Sequence, residues 1–85
     1  MTDPLAQLRA DFLARCGADL RRLKALEPSD PEVRAIAHRL AGAAGSFGYP
    51  DLSEVAAQVD DGSRDGELTA EHLADLLDAL RDLAA

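Results

Sequence analysis

The sequence predicts an all-α fold, an antiparallel up-down-up-down four-helix bundle that forms one domain over residues 1–85. Three observations predict it. Apolar residues recur at i, i+3, i+4 and i+7 in four successive segments, the spacing of a helix with one buried face. Capping residues and prolines separate the segments at short intervals, so neighbouring helices must run antiparallel. The apolar content is mostly Leu, Ala and Val, with Phe12, Phe47 and Tyr49 the only aromatics, which favours helix over sheet.

The first helix opens with Asp3 as N-cap and Pro4 at its first position. Its inward face reads Leu5, Leu8, Phe12, Cys16, Leu20 and Leu23, and Glu27-Pro28-Ser29 ends it. The second repeats the device with Asp30 and Pro31. It buries Val33, Ile36, Ala37, Leu40, Ala43, Ala44 and Phe47, and ends near Gly48. The third begins around Pro50 with Leu52, Val55, Ala56 and Val59 inward, and the run 61–66 reads as a turn by composition. Thr69 caps the fourth helix, with Leu68 and Leu73 placed to form a hydrophobic staple and Leu73, Leu76, Leu77 and Leu80 as its core stripe.

Charge narrows the function. The net charge of −7 is concentrated in residues 50–85, which hold ten acidic and two basic side chains. That half lacks the basic footprint that nucleic acid or an anionic membrane requires. No apolar run approaches the roughly 20 residues needed to span a bilayer, and the amino terminus does not read as a signal peptide. A single cysteine, Cys16, excludes an internal disulfide and fits a reducing cytoplasm, where a monomeric protein is expected. Two histidines and one cysteine offer no zinc-ligand spacing, and no phosphate-cradling loop is present, so neither metal nor cofactor is expected. Ser46 and His38 stand about two turns apart with no strained nucleophile turn, against a hydrolase. His72 reads as a surface residue beside Glu71 and Asp75.

His38 is the informative residue. It falls opposite the buried face of its helix, together with Arg34, Ala41, Gly42 and Gly45. Helix-interior glycines cost roughly 0.5–1 kcal/mol each relative to alanine, a cost that makes sense where another molecule must approach closely. A neutral imidazole is a good nucleophile near neutral pH. An outward histidine with small residues around it is a reactive group offered to a macromolecule.

The run His38-x-Leu40-x-Gly42-x-Ala44, followed by Gly45, Phe47, Gly48 and Leu52, resembles the signature of histidine phosphotransfer (HPt) domains, especially those of chemotaxis-type histidine kinases. The similarity is strongest over residues 33–61 and extends to the whole chain as a matching order of four helices. It implies a phosphorelay intermediate: His38 accepts a phosphoryl group and exchanges it with an aspartate of a response-regulator receiver domain, with a histidine kinase as a further partner. Magnesium and the catalytic carboxylates would then belong to the receiver, leaving this chain a carrier and not an enzyme. Residue 60, twenty-two after the histidine, holds the polar side chain that in similar domains orients the ring; here it is Asp60. Arg64 matches a basic position of some relatives, but reads here as part of a glycine-flanked loop. Ala41 departs from the pattern, since many such domains carry lysine three residues after the histidine. Arg34 and Arg39 are the nearby substitutes, Arg34 the better placed. Ala41, Gly42 and Gly45 form the expected docking face. The alternative is a non-catalytic helical adaptor that docks a partner through that face, a reading Ala41 favours.

Overall fold

Asp3, Asp30 and Thr69 each open a helix through their side chains. Asp3 accepts from the N–H of Leu5 at 3.0 Å and Asp30 from that of Glu32 at 2.9 Å. Thr69 Oγ1 accepts from the N–H of His72 at 3.1 Å. The computed structural model describes residues 3–84. It comprises α1 (Pro4–Ala25), α2 (Pro31–Ser46), α3 (Pro50–Asp65) and α4 (Ala70–Ala84). Connections 26–30, 47–49 and 66–69 reverse the chain each time, giving an all-α four-helix bundle. Among the described residues, no helix is long and apolar enough to cross a membrane.

The core gathers the stripes read from the sequence. Leu40, Leu76, Leu80, Val33, Val59 and Cys16 are fully enclosed. Phe12 stacks on Phe47 and Tyr49, with ring centroids 5.1 and 5.8 Å away, and closes the end of the bundle at the α2–α3 connection. That connection is a Schellman motif. Tyr49 N–H bonds the Ala44 carbonyl at 2.9 Å, and Gly48 N–H bonds that of Gly45 at 3.4 Å, with Gly48 at φ 85°. The tight reversal lays α3 along α2, the most extensive helix pairing in the molecule.

Two expectations need correction. Leu5 and Leu8 are not core but 64% and 52% exposed. α1 has 22 residues and the other helices 15 or 16, a difference of roughly 9 Å at 1.5 Å per residue. Its first two turns overhang the bundle, whose long axis reaches 47 Å. The run 61–66 is not a turn either: α3 continues to Asp65 and ends only at Gly66, which takes φ 72°. Gly62 stays helical because its missing side chain makes room for the following connection. A Cβ there would meet Leu68 Cα at 3.1 Å. Composition thus marked the end of the helix one turn early.

α1 and α2 barely touch, and two ion pairs bridge them. Arg22 grips Glu32 through two bonds of 2.6 and 2.8 Å in the open. Arg39 Nη2 donates to Asp19 Oδ1 at 2.6 Å, and Asp19 is buried. Burial, with Asp19 adding to it and Arg39 opposing, pushes the neighbouring Cys16 thiol up to about 11, which makes it an unreactive core group.

Candidate functional site

The site is assembled from one face of α2 and one side chain of α3. His38 lies mid-helix in α2, its side chain 79% exposed. Its Nδ1 is 2.9 Å from Oδ2 of Asp60. The other oxygen of Asp60, Oδ1, accepts from Arg34 Nε at 3.2 Å. Asp60 itself is only 16% exposed, tucked between the helices beside the buried Val59. His38 and Arg34 are four residues apart, so both stand on one stripe of α2 and converge on the same carboxylate.

This geometry fixes the protonation pattern of the ring. The hydrogen bond with His38 holds the Asp60 carboxyl below its ordinary pKa, desolvation opposes the shift, and Arg34 adds to it. Asp60 is therefore ionised at neutral pH and has only acceptors to offer. Nδ1 of His38 must be the donor. In the neutral ring the proton then sits on Nδ1, and Nε2 keeps its lone pair on the outward side.

The surroundings of the ring are open. A Cβ built at Gly42 meets nothing within 4 Å, and one at Gly45 makes ordinary contact with Ser53 Oγ at 3.5 Å. Ala41 is half-buried against the core. Ser53, which the sequence reading did not single out, donates to the Ala41 carbonyl at 2.7 Å and ties α3 to this stretch of α2. Its position beside the inward Leu52 was the available signal. Two clefts, of about 490 and 330 Å³, are lined by other residues, and the first reaches the site only through Arg34. The imidazole faces solvent.

Of the cations expected here, only Arg34 joins the imidazole. Arg39 turns to Asp19, a partner on α1 invisible to local spacing. Arg64 is in the last turn of α3, not in a loop, and its guanidinium pairs with Asp61 and Asp65 at 3.3 Å each. His72 is half-buried with Nδ1 shielded and unpaired, and not a surface side chain as its acidic neighbours implied. Among the described residues, no three His, Cys, Asp or Glu side chains are grouped to hold a metal ion.

The bundle thus presents a solvent-facing histidine bonded to a carboxylate. Residues 7–85 match the Hpt domain family, and the chain belongs to it. No curated protein and no solved structure matches the chain.

Proposed function

We propose that this chain is a cytoplasmic phosphorelay intermediate of two-component signalling in which His38 carries the phosphoryl group. The observation that carries the reading is the exposed imidazole bonded through Nδ1 to Asp60 at 2.9 Å. The lone pair of Nε2 attacks the phosphorus of a receiver aspartyl phosphate. The N–P bond forms as the P–O bond to aspartate breaks, and the aspartate leaves as a carboxylate. The Nδ1 proton stays in place, so the ring becomes cationic on phosphorylation, and Asp60 balances that charge. Transfer in the other direction retraces these steps, and a histidine kinase is the alternative donor.

Both arginines of α2 are engaged within the chain, Arg34 by Asp60 and Arg39 by Asp19, and Ala41 supplies no charge. By the family resemblance, the magnesium and the carboxylates that would neutralise the moving phosphoryl group belong to the receiver partner. Ala41, Gly42 and Gly45 form the surface on which that partner docks.

The test is incubation with phosphorylated receiver domains, followed by intact mass measurement and acid and base treatment. The expected result is one acid-labile, base-stable phosphoryl group, absent from His38→Gln while helical circular dichroism is unchanged. Labelling that persists in His38→Gln overturns the assignment. Docking without labelling of the wild type favours the non-catalytic adaptor, the reading that Ala41 supports.

A further inference from the structure

We infer that Arg34 is a positioning residue that acts on His38 through Asp60, holding the carboxylate in the orientation that sets the imidazole tautomer. The inference rests on the phosphotransfer reading for its consequence, but not for its geometry. A carboxylate turns easily about its last side-chain torsion, whose energy profile is broad and two-fold. With one partner, Asp60 could exchange its oxygens or swing toward water. With two donors on the same helix stripe it cannot do so without breaking a charge-assisted bond. Arg34 Nε takes Oδ1 at 3.2 Å and leaves Oδ2 to His38 at 2.9 Å, so each oxygen has one role.

The alternative place for Arg34 is beside the phosphoryl group, as a substitute for the cation missing at Ala41. The structure points away from it. Arg34 Nε is bonded to Asp60, which faces Nδ1, whereas the phosphoryl group arrives at Nε2. The two nitrogens flank Cε1, and their outward directions diverge. The contribution of Arg34 is therefore made before phosphorus arrives, by keeping the proton on Nδ1 and the lone pair on Nε2.

The experiment combines two readouts in wild type, Arg34→Gln, Asp60→Asn and the double variant. Nitrogen NMR of histidine-labelled protein gives the ratio of Nδ1–H to Nε2–H tautomers at His38. Phosphorylation by phosphoramidate, a small donor that needs no partner surface, gives the rate of attack. Arg34→Gln is expected to lower the tautomer ratio several-fold and to slow labelling in proportion. In the Asp60→Asn background the same substitution should change neither quantity, because the group it acts through has gone. An unchanged tautomer ratio in Arg34→Gln overturns the inference. So does a rate loss as large in the Asp60→Asn background as in the wild type, which would place Arg34 on the phosphoryl group instead. If wild-type protein takes no phosphoryl group while the tautomer ratio still responds to Arg34, the phosphotransfer reading fails and the positioning role stands.

Discussion

Gly42 in α2 and Gly62 in α3 both stand inside helices, where each gives up roughly 0.5–1 kcal/mol relative to alanine. Their surroundings differ. A Cβ at Gly62 would lie 3.1 Å from Leu68 Cα and 3.3 Å from its nitrogen, both backbone atoms. One at Gly42 would meet nothing within 4 Å. The fold thus contains the reason for Gly62: it is where the α3–α4 connection crosses back over its own helix. It contains no reason for Gly42. On the function proposed above, its cause is a partner that comes close to the helix one turn from His38. Identical residues at similar helical cost therefore stand in different surroundings, one crowded by backbone and one open to the docking proposed above.

The largest expected effect is the contrast in stability. Gly62→Ala should destabilise by about 1–3 kcal/mol, because the crowded atoms belong to a backbone that cannot yield cheaply. Glu67 N–H bonds the Gly62 carbonyl at 2.7 Å, and Leu68 is packed against the core, so the connection is held on both sides. Gly42→Ala should instead stabilise by up to about 1 kcal/mol through helix propensity and a less flexible unfolded chain. In thermal unfolding each kcal/mol corresponds to roughly 4–8 °C for a domain of this size. The two midpoints should move in opposite directions. Midpoints that both rise would mean the α3–α4 connection is free to shift, and the comparison would collapse.

Gly42→Leu sharpens the same contrast on the binding side. It places a branched side chain one turn from the imidazole without disturbing any core group. Affinity for a receiver domain should fall about tenfold, equivalent to about 1.4 kcal/mol, while thermal stability holds or rises. Titration calorimetry against a receiver that phosphorylates the wild type measures it. Unchanged affinity would leave Gly42 without an explanation inside or outside the chain.

How far these features could be read from sequence depends on the range of the interaction that determines them. Helix starts are local, so Asp3-Pro4, Asp30-Pro31 and Thr69 marked them correctly. The outward stripe with His38, Gly42 and Gly45 followed from a fixed 100° rotation per residue. The proximity of His38 and Asp60 was legible only because the family pattern supplied a spacing across two helices. The end of α3 was misread because Gly62 is tolerated through a contact with Leu68 that no local pattern encodes. Leu5 and Leu8 carry a correct apolar spacing, yet periodicity says nothing about whether a partner helix reaches that far. Arg39 was misplaced for the same reason, since its partner Asp19 is twenty residues away on another helix.

The smallest effect concerns Asp60 in acid and compares the polar contact between α2 and α3 with their apolar packing. The folded-state pKa of Asp60 is depressed, chiefly by the hydrogen bond with His38 and further by Arg34. A depressed carboxyl contributes stability that is fully present above its unfolded pKa and disappears as pH falls through its folded one. The contribution should thus be complete at neutral pH and fade below about pH 4, near the reference value for aspartate. Both partners are well exposed, His38 at 79% and Arg34 at 50%, so solvent screening keeps it small. Urea unfolding of wild type and Asp60→Asn from neutral pH down to pH 3 would measure it. The stability advantage of the wild type should shrink in the acid limb, where the carboxylate takes up a proton and the donors lose their charged acceptor. An advantage that stays constant across that range would show that the charge of Asp60 adds nothing to α2–α3 packing. Its importance would then lie wholly in orienting His38.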